Sequence, residues 1–179
     1  MRVVSGYLGG RRLTVPEGEH TRPTSERVRE AIFNSLFSLD AIDDARVLDL
    51  FAGSGALGIE AVSRGAASVT FVEQNRDALS AIYANVETLE LGAESTVVAA
   101  DALTYLRRGV DHDLVLLDPP YGFDLWDELL GSITAGVVVI ESDRDVDLPS
   151  EWMVHRVKRY GGTVVTLATA GTDSGELSK

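Results

Sequence analysis

The stretch that decides the fold is Asp49–Gly58, which reads DLFAGSGALG. An apolar run precedes it and a helical pattern follows it, so we expect a turn between a strand and a helix. Glycines at positions 53, 55 and 58 satisfy the spacing G-x-G-x-x-G, in which glycine lets the backbone approach a ligand closely. Glu73 follows about twenty residues later, at the end of the next apolar run. This spacing predicts an α/β fold that binds a nucleoside-containing cofactor.

Apolar runs and helical patterns alternate along the chain from residue 46 onward. Continuous apolar strands separated by helices indicate a mostly parallel sheet covered on both faces. We expect strands at 47–50, 68–73, 96–100, 114–118 and 136–140, and helices from about residue 55, at 76–89, 102–106 and 126–133. Residues 152–159 and 163–167 flank Gly161-Gly162 with no helix between them, so they predict an antiparallel hairpin at the sheet edge.

The first 40 residues precede this alternating pattern. Residues 3–15 predict a short β-hairpin that turns at Gly9-Gly10, and a helix follows that Thr24 or Ser25 can cap. An apolar stripe on this helix, which docks it onto the main domain, consists of Val28, Ile32, Phe33 and Leu36. The chain should therefore have three parts, an extension at 1–40, the α/β domain at 41–170 and a flexible tail at 171–179.

Composition excludes several classes of protein. The chain contains 45% hydrophobic residues and no cysteine, which indicates a globular protein without disulfides or thiolate metal ligands. The three histidines lie far apart in sequence, so we expect no metal site. No apolar run approaches the roughly 20 residues that cross a bilayer, and Met1–Gly6 lacks the apolar core of a signal peptide. We expect a cytoplasmic protein without membrane contact.

Acidic side chains narrow the choice of cofactor. A carboxylate at Asp49, directly before the glycine turn, would repel the pyrophosphate of a dinucleotide. The same carboxylate can bind the ammonium group of S-adenosylmethionine. Glu73 would accept hydrogen bonds from ribose, and Asp101 from the adenine amino group, although Asp101 can equally cap the helix that follows it. We therefore expect S-adenosylmethionine as the cofactor, held by Asp49, Phe51, Gly53, Gly55, Glu73, Asp101 and Ala102.

The segment Asp118-Pro119-Pro120-Tyr121 follows the fourth apolar strand. Ligands of open α/β sheets bind beyond the carboxyl ends of the strands, so this segment should face the cofactor. The prolines fix the backbone and remove two N–H donors, which leaves the Asp118 carboxylate and the Pro119 carbonyl as a pair of acceptors. Two acceptors can hold the two hydrogens of an exocyclic amino group and direct its lone pair at a methyl donor. Tyr121 offers a stacking surface for the base.

These motifs resemble the RsmD family, the bacterial 16S rRNA guanine-N2 methyltransferases. The resemblance covers most of residues 2–167, and its most specific part is RPTSERVREAIFN at 22–34. It implies a Rossmann-like class I methyltransferase with a seven-stranded, mostly parallel sheet whose last strand is antiparallel. It also implies methylation of the N2 amino group of one guanine in the small-subunit RNA, with the catalytic site at Asp118, Pro119, Pro120 and Tyr121.

The net charge of −12 disfavours RNA binding by most of the surface, because phosphate contacts require cations. Basic residues concentrate in the N-terminal extension, which we therefore expect to bind RNA. Residues 7–9 are Tyr-Leu-Gly where the family is usually more basic, which favours an assembled or partly assembled small ribosomal subunit over naked 16S rRNA as the partner. The expected RNA contacts are Arg2, Arg11, Arg12, Arg22, Arg27, Asn34, Lys158 and Arg159.

Three alternatives remain open at the level of sequence. A DNA adenine-N6 or cytosine-N4 methyltransferase uses the same amino-group chemistry, but this chain has no room for a sizeable target-recognition insertion. A nicotinamide-dependent oxidoreductase would share the glycine turn and leave Asp-Pro-Pro-Tyr unexplained. A non-catalytic RNA-binding assembly factor could retain the fold, and cofactor-dependent methyl transfer would exclude it.

Overall fold

The computed structural model describes residues 1–16 and 25–171. Its strands are β1 (Arg46–Leu50), β2 (Ser68–Glu73), β3 (Ser95–Ala99), β4 (His112–Leu117), β5 (Ala135–Ser142), β6 (Trp152–Tyr160) and β7 (Thr163–Ala170). Its helices are α1 (Glu26–Ser38), α2 (Ala56–Ser63), α3 (Arg76–Thr88), α4 (Ala102–Leu106) and α5 (Trp126–Gly131). Among the described residues, no helix combines the length and the apolar character needed to cross a membrane.

The seven strands form one sheet in the order β3-β2-β1-β4-β5-β7-β6. Strands β1 to β5 are parallel, and β7 pairs antiparallel with both β5 and β6. The predicted α/β fold, with a mostly parallel sheet and an antiparallel last strand, is confirmed. The predicted edge hairpin is also present, with β6 as the outermost strand. All helices that follow a parallel strand begin at the carboxyl edge of the sheet, so their first residues and the strand ends meet there.

Two apolar layers cover the sheet. One layer contains α1, α2 and α3, with Phe33, Ile59 and Ile82 fully buried against the sheet. The other contains α4 and α5, with Leu129 and Leu130 buried on the opposite face. Burial on both faces explains why the parallel strands are continuously apolar.

Helix α1 begins where the sequence predicts. The Ser25 hydroxyl caps it by accepting a hydrogen bond from Val28 N at 3.3 Å, and the whole predicted apolar stripe is buried. Arg29 is buried on the same side, which the apolar pattern did not indicate, and its Nη2 donates to the Arg2 carbonyl oxygen at 2.6 Å. Burial lowers the pKa of this guanidinium, while the carboxylates of Glu60, Glu26 and Glu141 raise it. A buried charge therefore joins α1 to the first residues of the chain.

The N-terminal hairpin is shorter than the sequence predicts. Its only ladder pairing in residues 1–16 is one bridge between Arg2 and Arg12, with the Leu13 amide donating to the Met1 carbonyl at 3.0 Å. The amides of residues 4 and 5 instead donate to the Glu60 carboxylate, and Leu8 N donates to Ser63 Oγ at 3.0 Å. Val3 also keeps two hydrogen bonds across the hairpin, from Gly10 N to Val3 O at 2.9 Å and from Val3 N to Arg11 O at 3.0 Å. The predicted hairpin is therefore present in a shortened form that packs on α2.

Candidate cofactor and amino-group site

The glycine turn has the backbone conformation that its sequence requires. Gly53 and Gly55 have φ of 56° and 78°, in the left-handed region, and Phe51 has φ of 58°. Gly58 lies where a Cβ would approach Phe71 Cε1 to 2.5 Å, so only glycine lets α2 pack this closely on β2. The turn consequently brings the first turn of α2 to the carboxyl edge of the sheet.

Asp49 is a buried carboxyl group beside this turn. It is 1% exposed, and its Oδ2 accepts a hydrogen bond from Gly58 N at 2.9 Å. Burial raises its pKa well above the ordinary range, against the lowering by the Gly58 hydrogen bond, and the nearby Asp118 and Glu73 carboxylates raise it further. Three acidic side chains therefore lie at the carboxyl ends of the neighbouring strands β1, β2 and β4, close enough for their charges to interact.

Glu73 and Asp101 are both engaged with backbone amides. Glu73 Oε2 accepts from Gly53 N at 2.9 Å, and Oε1 accepts from the amides of residues 74 and 75, each at 2.8 Å. The Asp101 carboxylate caps α4 by accepting from Thr104 N at 2.9 Å, and Ala102 is buried in the first turn of that helix. The predicted helix-cap role of Asp101 is confirmed. Its contact with adenine remains a prediction.

The Asp-Pro-Pro-Tyr segment leaves the sheet directly after β4, between β1 and β5. Asp118 is half-buried and Pro119 is buried, whereas Pro120 and Tyr121 are exposed, the tyrosine at 61%. The exposed tyrosine ring and the half-buried carboxylate give this loop one face toward solvent and one toward Asp49. Such an arrangement is open to a planar base that arrives from solvent.

The residues after β5 hold this loop in place. Gly122 N donates to the Asp143 carboxylate at 3.1 Å, the Arg144 guanidinium donates to the Phe123 carbonyl, and Phe123 N donates to Pro120 O at 3.1 Å. No sequence motif indicated Asp143 or Arg144. Their signal is their position directly after the strand that neighbours β4 on the sheet, which the strand order reveals.

An aromatic row joins the loop to the glycine turn. The ring centroids of Phe51 and Phe123 are 5.4 Å apart, and those of Phe123 and Trp126 are 5.1 Å apart, both in edge-to-face geometry. Phe51 is a predicted cofactor contact, whereas Phe123 and Trp126 were missed, although the spacing F-x-x-W follows Tyr121 closely. The row gives the region between the two loops an apolar wall.

Asn85 of α3 connects the N-terminal segment to the glycine turn, a role that no sequence motif indicated. Its Oδ1 accepts from Thr14 N at 2.7 Å, and its Nδ2 donates to Thr14 O and to Ser54 O, both at 2.9 Å. Asn85 is 2% exposed, so all three bonds lie away from solvent. The N-terminal segment therefore passes beside the glycine turn at Thr14.

The expected RNA contacts fall into separate places. Arg22 lies outside the described residues, and the other seven are exposed, namely Arg2, Arg11, Arg12, Arg27, Asn34, Lys158 and Arg159. The Arg11 guanidinium donates to the Thr88 carbonyl at the end of α3, at 3.2 Å. This contact lies at the amino ends of the parallel strands, whereas Asp49, Glu73 and Asp118 lie at their carboxyl ends. Arg159 forms an ion pair with Asp145. These positions and contacts leave RNA binding untested, so it stays a prediction.

The side chains at the glycine turn and the strand ends fit S-adenosylmethionine better than a dinucleotide. Carboxylates at the strand ends suit an ammonium group, ribose hydroxyls and an adenine amino group, and a buried acid at Asp49 opposes a pyrophosphate. A Cβ built on Gly53 would have no atom within 4 Å, so the turn has open space on its outer side. The residues present therefore fit the predicted cofactor.

Comparisons with known proteins agree with this geometry. Residues 1–169 match the family model described as conserved hypothetical protein 95. The Escherichia coli protein named Ribosomal RNA small subunit methyltransferase D is 37% identical over 172 residues, which cover 90% of this chain and 85% of that protein. The Haemophilus influenzae protein of the same name is 33% identical over 174 residues, covering 90% and 89%.

A solved Escherichia coli structure, provisionally named methyltransferase yhhF, superposes with a TM-score of 0.85. The two sequences are 35% identical, and the match covers 96% of this chain and 98% of that chain. The family match spans nearly the whole chain, including the N-terminal segment as well as the sheet. The resemblance inferred from the sequence motifs is thereby confirmed, and the chain belongs to the RsmD family of small-subunit rRNA methyltransferases.

Proposed function

We propose that this enzyme transfers a methyl group from S-adenosylmethionine to the exocyclic N2 amino group of one guanine in 16S rRNA. The observation that carries the proposal is that Asp49, Glu73 and Asp118 lie at the carboxyl ends of three neighbouring parallel strands, beside the glycine turn. In this proposal, a cofactor site and an amino-group site lie next to each other at the carboxyl edge of the sheet. Membership of the RsmD family supports methylation of small-subunit rRNA, and the Asp-Pro-Pro-Tyr chemistry supports an amino nitrogen as the target.

The cofactor site would use the acidic side chains and the open turn. Asp49 in its ionised form would hold the ammonium group, and Glu73 would accept hydrogen bonds from the ribose hydroxyls. Asp101 and Ala102 would border the adenine, with the Phe51 ring beside it. When bound, the cofactor supplies an electrophilic methyl group.

The amino-group site would act by orientation. The Asp118 carboxylate and the Pro119 carbonyl oxygen would accept the two amino hydrogens, which favours a more pyramidal nitrogen and directs its lone pair toward the cofactor side. Because Pro119 and Pro120 fix the backbone, these two acceptors need little rearrangement before reaction. The exposed Tyr121 ring would stack on the base once that base leaves its helical stack.

The substrate that we propose is the assembled or partly assembled small subunit. A chain with a net charge of −12 has limited electrostatic attraction for RNA, so shape supplied by folded RNA and bound proteins should contribute to recognition. The basic residues of the N-terminal extension at 1–40 would supply part of the remaining attraction to 16S rRNA.

The decisive experiment incubates the protein with labelled S-adenosylmethionine and small subunits from cells that lack this enzyme. We expect label in a single N2-methylguanosine, identified by nuclease digestion and mass spectrometry. Duplex DNA and naked 16S transcript serve as parallel substrates. Label in N6-methyladenine or N4-methylcytosine of the DNA would contradict the proposal, and so would the absence of methyl transfer despite cofactor binding, which would favour a non-catalytic assembly factor.

A further inference from the structure

A groove runs between α1 and the two antiparallel strands at the edge of the sheet. Its floor is apolar and its outer wall is basic, which distinguishes it from the acidic cofactor site. The residues that line it are Ala31, Ile32 and Ser35 of α1, Val139 of β5, Arg156, Lys158 and Tyr160 of β6, and Val165 and Leu167 of β7. None of the residues assigned above to the cofactor or amino-group site lines this groove.

Strand register shows that the groove leads toward the carboxyl edge of the sheet. Arg156 is paired through β7 with the middle of β5, and its Nη1 donates to Ser35 Oγ at 3.1 Å. Lys158 is paired through Val165 with Glu141, near the end of β5. The Glu141 carboxylate interacts electrostatically with Arg29, so the first half of α1 lies near the end of β5, whereas Ser35 lies near its middle. Helix α1 thus runs antiparallel to β6, and the groove opens at Tyr160 beside the carboxyl edge.

Among the described residues, the cations of the groove have no ion-pair partner, in contrast to Arg159 on the other face of β6. Arg159 forms an ion pair with Asp145, whereas the hydrogen-bond partner of Arg156 is the neutral Ser35 hydroxyl. Within residues 1–16 and 25–171, no carboxylate lies within ion-pair distance of Arg156 or Lys158. Both side chains are exposed in a chain whose net charge is −12. Local positive charge without an acidic partner indicates an anionic ligand.

The N-terminal part of α1 extends this surface. Arg27 lies one helical turn before Ala31, is exposed, and has no acidic partner among the described residues. Strand β6 is three strands from β4, which places the groove about 14 Å from the Asp-Pro-Pro-Tyr segment, since neighbouring strands are about 4.8 Å apart. A polymer whose target base lies at Asp118 could therefore continue into the groove.

We propose that this groove binds the sugar-phosphate backbone of a single-stranded RNA segment that flanks the target guanine. Arg156 and Lys158 would contact phosphates, and the apolar floor with Tyr160 would pack against ribose and base faces. This inference rests on the proposed function, because it takes the RNA substrate as given. It assigns the RNA contact at the edge hairpin to Arg156 and Lys158, on the face that packs toward α1, and removes Arg159 from it.

The test measures binding of 16S rRNA transcript at several salt concentrations. The test variant carries Arg156→Gln and Lys158→Gln, and its control carries Arg46→Gln and Arg107→Gln, which change the net charge equally but lie in ion pairs away from the groove. Two lost phosphate contacts should lower the salt slope by about 1.4 and weaken binding roughly 25-fold at about 0.1 M salt. The control should bind like wild type, Arg156→Lys in an otherwise wild-type chain should keep the wild-type slope, and all variants should bind S-adenosylmethionine equally.

Equal salt slopes for the test and control variants would overturn the groove as an RNA site. A loss of binding to small subunits alone, with an unchanged slope on the naked transcript, would also overturn it and indicate a protein contact there. Failure of the wild type to methylate any RNA while the slopes still differ would contradict the proposed function and leave the groove supported. The two proposals can therefore fail separately.

Discussion

Burial in the free enzyme and an ammonium ligand favour opposite protonation states of the Asp49 carboxyl group. In the folded chain, burial and two neighbouring carboxylates raise its pKa, so the neutral form is favoured over a wider pH range than in an ordinary aspartate. An ammonium ligand requires the ionised form. The residue therefore makes the free fold less stable at neutral pH in exchange for a binding contact, a pattern common at functional sites.

Asp49→Asn should separate these two effects. The raised pKa means that the stability contribution of Asp49 is fully present below the ordinary aspartate pKa of about 4 and is lost as pH rises through the folded-state value. Asparagine carries no charge, so the free variant should have a higher Tm than wild type at neutral pH. Its affinity for S-adenosylmethionine should fall roughly tenfold to a hundredfold, through loss of a charged hydrogen bond. Thermal unfolding and calorimetry measure the two quantities.

At a pH below the raised pKa of Asp49, cofactor binding should also release a proton from this residue. Wild-type affinity for S-adenosylmethionine should rise with pH up to the raised pKa and then level off, whereas Asp49→Asn should show a flatter profile. Calorimetry in buffers of different ionisation enthalpy reports the proton directly. Proton uptake by the wild type, or identical pH profiles for both proteins, would refute this role.

Asp118→Ala should affect turnover and spare cofactor binding. The residue is proposed to hold the target amino group, and loss of one such oriented acceptor costs roughly 100- to 1000-fold in kcat. Its removal also removes one negative neighbour of Asp49, so cofactor affinity should not weaken. Single-turnover methylation of small subunits, together with calorimetric cofactor binding, checks both parts. Wild-type turnover by this variant would contradict the amino-group mechanism.

At the scale of elements, α2 organises the N-terminal segment. Glu60 is fully buried, accepts from Val4 N at 2.7 Å and Ser5 N at 3.0 Å, and pairs with Arg64 Nε at 2.7 Å. Arg29 adds a second positive neighbour from α1. A buried carboxylate thus joins three segments that are far apart in sequence, and this explains why the N-terminal residues follow α2 and do not extend as strands.

Glu60→Ala should destabilise the fold strongly. It leaves two backbone amides and the Arg64 guanidinium without their carboxylate partner and removes a negative neighbour of the buried Arg29. Breaking a buried ion pair costs about 3–5 kcal/mol. The exposed Glu87→Ala on α3 is the control, with an expected change below about 0.5 kcal/mol. Urea unfolding at neutral pH measures both. A small loss for Glu60→Ala, equal to that of the control, would show that the N-terminal segment contributes little to stability.

On the scale of the whole molecule, charge is divided between an acidic body and two basic regions. The N-terminal segment carries Arg2, Arg11 and Arg12, and the groove carries Arg156 and Lys158. The N-terminal segment contacts the ends of α2 and α3. These helix ends lie at the amino ends of the parallel strands, away from the carboxylates at the carboxyl ends. A large substrate such as a ribosomal subunit could contact both regions at once.

Reversing Arg11 and Arg12 to Glu should weaken binding of small subunits and flatten its salt dependence. Phosphate contacts position the substrate and depend on salt, so the affinity for S-adenosylmethionine should not change. Because Arg11 also contacts the last turn of α3, a loss of stability of about 0.3–1 kcal/mol should accompany the reversal. Methylation of naked 16S RNA and of subunits by wild type and variant gives the comparison. Equal activity on both substrates would assign the segment a structural role alone.

The sequence by itself determined the sheet, the glycine turn and the chemical character of its acids. Those features depend on local periodicity and on turn residues, and both are readable along the chain. Neither the burial of Arg29 against Glu60 nor the bond from Asn85 to Thr14 is local, since each joins segments separated by dozens of residues. Strand order alone brings β6 beside α1 and thereby makes a basic groove. Tertiary structure decided these contacts, because buried polar groups pair with whichever partners the crossovers bring near.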